Sequence, residues 1–266
     1  MRAIKFEFEI NGTEWKEDHL KRLEYERNLH MLHQMKQHGI TIVKNEKELS
    51  DDEIDHLSEE EAWKVSIDTR AKYSGEDIRR IYADSLKISD EMWKKLSFGQ
   101  DKPMQVSRCY MKVTGTSIQN FMGVMRAMQQ DVRIGLAAHP EHLTGIVQDT
   151  HLYGFEPFGM YGTLTFCEVK YADVTELGNA IQADKDPEYP ISMAGRAFLS
   201  DGVTEINSPY HQFKPSADGF EAKLAVYWPE NTPKEIVDGH CLHLAMEFYE
   251  GVKMMKERGG TADKFI

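Results

Sequence analysis

The chain has 266 residues and a net charge of −12. That length can bury a large core, and no dense Lys/Arg run supplies the basic face a nucleic-acid binder needs. Three scattered cysteines without a CxxC pair exclude a disulfide framework, and no apolar run reaches transmembrane length. With no apolar stretch of signal-peptide type at the N-terminus, these features predict a cytoplasmic protein that binds neither nucleic acid nor membrane.

Residues 14–37 are rich in Lys, Glu, Leu and His without Gly or Pro, so they read as a long helix with Gly39 as its stop. Ile40–Val43 is a short strand candidate. Ser50-Asp-Asp-Glu53 has the form of a capping box, and Ser74-Gly-Glu-Asp77 and Ser89-Asp-Glu-Met92 open two further helices. The acidic run from Glu46 to Glu61 is read as a solvated helix face.

The texture changes after Lys102-Pro103. Met104–Val113 reads as a strand, and Ser117–Gln130 as a helix through Ile118, Phe121, Met122 and Met125. Its methionines read as core filling. Residues 151–171 hold two strand-like stretches separated by Gly154-Phe-Glu-Pro-Phe-Gly159. Ala194–Leu199, Tyr210–Phe213 and Phe220–Trp228 are further strands, the last two joined by a turn at Asp218-Gly219. A final helix follows Thr232-Pro233 and runs to about Lys256.

Helices first, then strands, then a long helix make an α+β fold. The expected layout is a mainly helical region over 1–102, then a domain over 103–266. In that domain a curved antiparallel sheet grips the C-terminal helix and leaves a ligand cavity between them. The long N-terminal helix is either a homodimerisation arm or a cap.

His243-Leu-Ala-Met-Glu247 carries most of the functional signal. Residues four apart share one helix face, so this imidazole and carboxylate can meet at one metal ion. Glu168 follows Leu164 and Phe166 on one face of an apolar strand, where a buried carboxylate must be paired, protonated or metal-bound. Cys167 faces the other way. His139 and His142 flank Pro140 and offer further ligands of a zinc-type site; His151 and His240 are rivals.

The segment 107–146 resembles the phloretin hydrolase and 2,4-diacetylphloroglucinol hydrolase family, and the motif order extends over about 105–256. The matching residues are Val132-Arg133-Ile134 for a strand and Pro140-Glu141-His142 for a ligand turn. Glu168 stands for a strand ligand, and His211-Gln-Phe-Lys opens a hairpin that ends at Tyr227-Trp228. His243 and Glu247 stand for the helical ligand pair. The resemblance implies a helix-grip fold of the Bet v 1/START type. It implies a divalent metal, most simply zinc, on His142, Glu168, His243 and Glu247. It also implies hydrolysis of a carbon–carbon bond beside a ketone in a phenolic ketone or β-diketone. His211 is then the expected acid/base, and Tyr227 the expected holder of the substrate oxygen. A set of two histidines and two carboxylates also suits Mn or Fe.

The chain departs from the family in its substrate set. Ile134 stands in place of a Tyr, Phe121-Met-Gly-Val-Met125 in place of a Trp-rich helix, and Leu224-Ala-Val226 in place of Arg-Ser-Arg. That pattern leaves two other readings open. One is an enzyme that opens a cyclic 1,3-diketone such as a reduced phloroglucinol. The other is a small-molecule or polyketide-binding module without chemistry.

Overall fold

The structure is a computed structural model describing residues 3–128, 131–148, 151–159 and 162–257. The chain opens with two strands, β1 (Lys5–Ile10) and β2 (Thr13–Trp15), and then α1 (Glu17–Gln37). A small hairpin of β3 (Val43–Lys44) and β4 (Lys47–Glu48) leads into α2 (Asp51–Asp55), α3 (Glu59–Arg70), α4 (Gly75–Ile81) and α5 (Ala83–Leu96). Then come β5 (Met104–Thr114), α6 (Ile118–Ala127), α7 (Val132–Ala138), β6 (Thr144–Gln148), β7 (His151–Pro157) and β8 (Leu164–Tyr171). The short α8 (Asn179–Gln182), β9 (Ile191–Phe198), β10 (Glu205–Ser216), β11 (Gly219–Pro229) and α9 (Lys234–Glu257) complete it.

Local chemistry sets many of these boundaries. Ser50, Ser58 and Ser74 each close a reciprocal capping box with the residue three positions on, so α2, α3 and α4 begin where a side chain satisfies an orphan N–H. Gly39 adopts φ +79° just past α1, a conformation open to Gly without a Cβ penalty. The hairpin joining β10 and β11 closes with Ser216 opposite Gly219. A Cβ on Gly219 would lie 1.9 Å from the Val113 carbonyl oxygen, so only glycine lets β11 pass β5 there.

Among the described residues nine strands form one antiparallel sheet in the order β2-β1-β5-β11-β10-β9-β8-β7-β6. The fold is therefore mixed α and β, with a large antiparallel sheet and a C-terminal helix. Among the described residues no helix is long and apolar enough to cross a membrane. The main core lies where α9 meets the sheet, with Leu244, Phe248 and Val252 packed among Met111, Val113, Leu224 and Trp228. A second core joins the N-terminal helices to β7 and β8 through Ile78, Tyr82, Phe155, Leu164 and Phe166.

The region 1–102, expected as mainly helical, carries α1 to α5 and also β1, which pairs with β5 over six residues, and Phe8, Ile10, Leu20 and Trp93 belong to the main core. The core is thus continuous across position 102. The segment Val132-Arg133-Ile134, expected as a strand, is the first turn of α7. The Asp131 side chain accepts from the Arg133 N–H and caps that helix, so the local signal favours a helix over a strand. Ser89 opens no new helix either. It lies inside α5, with its hydroxyl buried against Thr165.

Candidate metal centre

Three elements bring the site together. The first is the turn after α7. Pro140 cannot continue the helix, and His139 before it takes the extended conformation that a residue preceding proline prefers. The turn carries His139, Glu141 and His142 into the interior, where His139 is 1% exposed. The N-terminal helices hold it there. The buried Arg70 of α3 donates from Nη1 to the carbonyls of His139 (2.9 Å) and His142 (2.6 Å), and Arg27 of α1 forms a buried ion pair with Glu141.

The second element is β7. Its alternation sends Tyr153 and Phe155 toward the N-terminal helices, and Leu152 and Glu156 into a cavity between the sheet and α9. The third is α9, whose positions 240, 243 and 247 fall on one stripe, so His240, His243 and Glu247 all line that cavity. His243 is 2% exposed.

His139, His142 and His243 form a cluster that can hold a metal ion, their ligand atoms lying within 4.8 Å of one another. Glu156 tightens the geometry. His142 Nε2 and His243 Nε2 are 3.2 Å apart, and Glu156 Oε2 is 3.3 Å from the first and 3.0 Å from the second. Atoms bonded to one tetrahedral cation at ordinary zinc distances stand roughly 3.3 Å apart. Glu156 Oε2 is buried yet makes no well-formed hydrogen bond, as expected of a lone pair aimed at a shared point. The residues present therefore fit a divalent cation.

The hydrogen bond at Nδ1 separates His142 from His139. His142 Nδ1 donates to the Gly135 carbonyl at 3.1 Å, which leaves Nε2 with its lone pair facing the cluster. His139 is the reverse case. Its Nδ1 accepts from the Glu141 N–H at 3.1 Å, so in the neutral ring Nε2 carries the proton. His139 instead stacks on His243 with centroids 3.7 Å apart, and His240 stacks on His243 at 4.7 Å. Glu247 Oε2 lies 4.0 Å from His243 Nε2, at the edge of the cluster.

Burial and charge act together on these groups. Burial opposes ionisation of Glu156, but His243 and His142 outweigh it and hold the carboxyl well below its usual range. His142 is raised: burial disfavours its charge, and Glu156 and Glu247 more than compensate. His139 and His240 are pushed down, first by burial and then by His243.

Of the residues picked out from the sequence, His142, His243 and Glu247 come together. Glu168 does not. It lies on the opposite face of β8, with Oε1 2.8 Å from His151 Nδ1 and 3.3 Å from the Tyr153 hydroxyl. The residue of β8 that faces the cluster is Cys167, whose thiol donates to Glu156 Oε1 at 3.7 Å. Tyr227 also points away. Its hydroxyl binds Asp184 and its ring lies under Arg108 on the far face of the sheet, because Val226 and Trp228 take the inward positions of β11.

His211 does line the cavity, packed edge-to-face on Phe248 with ring centroids 5.2 Å apart. Its Nδ1 accepts from the Ala225 N–H at 3.3 Å, so Nε2 carries the proton of the neutral ring. Burial lowers its pKa to about 4 and keeps it neutral at neutral pH. The cavity, about 110 Å³, is otherwise mainly apolar, walled by Leu152, Phe158, Val169, Met193, Val226 and Phe248.

Glu156 was hidden in the sequence because Gly154, Pro157 and Gly159 make its surroundings read as a turn. The alternation Leu152, Gly154, Glu156 against Tyr153, Phe155 is the signal that marks it as strand. No protein-family model and no curated protein matches the chain.

Proposed function

We propose that the protein is a metal-dependent hydrolase that cleaves a carbon–carbon bond beside a ketone in an acylated phenol or β-diketone. The observation that carries this reading is the convergence of His142 Nε2, His243 Nε2 and Glu156 Oε2 at one end of an apolar cavity lined also by neutral His211. The long α9 packed against an antiparallel sheet supports a helix-grip arrangement with the cavity between them. The substrate class rests on the resemblance to the phloretin hydrolase family.

His142, Glu156 and His243 would hold the cation, with Glu247 beside them. Bound there, a divalent cation would supply Lewis-acid polarisation of a carbonyl and a more acidic water. Glu247, 4.0 Å from His243 Nε2, would take a proton from the attacking water. The hydroxyl adds to the acyl carbon, the carbon–carbon bond breaks, and its electron pair stays on the departing carbon as an enolate. That carbon then takes the proton held by Glu247, which restores the carboxylate, so no proton is gained or lost overall apart from ionisation of the acid product. His211 stays neutral and donates from Nε2 to the oxygen on which the enolate charge develops, a role open to a neutral imidazole.

The small cavity favours a compact cyclic 1,3-diketone over a two-ring acylphenol. The test is to incubate zinc-, manganese- or iron-loaded protein with acylphloroglucinols, linear β-diketones and cyclohexane-1,3-dione in ¹⁸O-water. The expected result is one carboxylate product with a single ¹⁸O incorporated from water. Metal-loaded protein that cleaves none of these compounds would leave the binding-module reading in its place.

A further inference from the structure

The wall that β10 contributes to the cavity is not uniformly apolar. Asn207 sits on β10 at a bulge, where the register with β9 shifts between Glu205 and Asn207. A bulge re-aims a side chain. Here the asparagine joins Pro209 and His211 in the cavity lining. Asn207 is 3% exposed, and its amide Nδ2 is buried with no hydrogen-bond partner. An unpaired buried donor is costly, and one that a native structure keeps calls for a partner such as a ligand, an ion or a water. Four residues along the same strand face, His211 presents Nε2–H, and no described residue accepts from it. The strand thus offers two hydrogen-bond donors to the cavity, each without an acceptor.

We propose that Asn207 is a substrate-binding residue that donates from Nδ2 to a ligand oxygen, so the cavity selects ligands with acceptor oxygens at two points, the carbonyls of a 1,3-dicarbonyl compound. This rests on the reading of the site as a diketone hydrolase, and it adds which side chain reads the second oxygen. A ligand presenting N–H or ammonium groups toward β10 would meet donors only and bind poorly. Apolar walls accept the carbon skeleton between the two oxygens.

The test uses zinc-loaded full-length protein with cyclohexane-1,3-dione as probe. Binding is read by calorimetry and by the shift in Tm the probe produces. Wild type should bind and gain Tm. Asn207→Leu, of similar size, should retain one metal per chain and lose about tenfold or more in affinity. Without probe its Tm should equal or exceed that of wild type, because an unpaired amide has been removed; a merely structural asparagine would lower it. If Asn207→Leu does not fold, Asn207→Asp reads the same point, since an acceptor-only carboxylate should abolish probe binding. Equal affinity in wild type and variant overturns the proposal, and so does a metal-replete wild type that does not bind the probe. A wild type that takes up no metal overturns instead the proposed function on which it rests.

Discussion

His139 and His142 are three residues apart in one turn, yet a single proton assigns them different roles. His142 spends its Nδ1–H on the Gly135 carbonyl and frees Nε2, whereas His139 Nδ1 accepts from the backbone and leaves Nε2 protonated. His142→Ala should therefore lose the metal, whereas His139→Gln should keep it with affinity reduced by about tenfold at most, through lost packing on His243. Chelator competition measures both; equal loss would return His139 to the ligand set. His211 gives a pH prediction. Its folded pKa, about 4, lies below the unfolded value of 6.5, so the unfolded chain binds the extra proton between those values. Stability must then fall as pH drops from about 6.5 toward 4, by up to about 1.4 kcal/mol per pH unit for this group. Denaturant midpoints across that range should fall less steeply in His211→Asn; an unchanged slope would show that His211 is not buried as a neutral ring.

At the scale of elements, the turn bearing His139 and His142 depends on helices distant in sequence. Arg70 of α3 joins the carbonyls of both histidines. Arg70→Met should leave two buried carbonyls unpaired, each at a cost of about 1–3 kcal/mol, and weaken metal affinity by about 10- to 100-fold. Arg70→Lys should restore part of both; a variant with wild-type Tm and metal affinity would contradict this role. Such a link was not legible in the sequence, because a buried arginine reads the same as a solvated one. Locally encoded elements were legible: the serine-capped α2 and α4, α1 ending before Gly39, and α9 with its His243–Glu247 spacing. Glu168 was misplaced because period two shows that residues share a face but not which face is inward. The N-terminal helices bury the Phe166 face of β8, so the apolar neighbours of Glu168 mark the face away from the cavity. Tyr227 was implied by motif order in the resemblance, which does not say which face of β11 it occupies.

For the whole molecule, the first hundred residues are part of one folded unit. β1 extends the sheet beyond β5, Trp93 stacks on Trp228, and the N-terminal helices cover Phe155 and Phe166. Separating the chain at the Lys102-Pro103 texture change would expose those rings and remove Arg27 and Arg70 from the ligand turn. A fragment spanning 103–266 should therefore not give a cooperative melt or bind metal, whereas the full chain should unfold in one transition. A folded, metal-binding fragment would show that the unit is divisible there. The charge of −12 and the early acidic helices conceal this continuity in the sequence, since surface charge says little about which face is buried.

The central claim is a cation held by His142, Glu156 and His243, and elemental analysis of purified protein tests it most directly. The account predicts about one divalent ion per chain in wild type, its loss in Glu156→Gln and His243→Ala, and its retention in Glu168→Gln. A folded wild type that takes up no metal, or a Glu156→Gln variant that keeps it while Glu168→Gln loses it, would contradict the account.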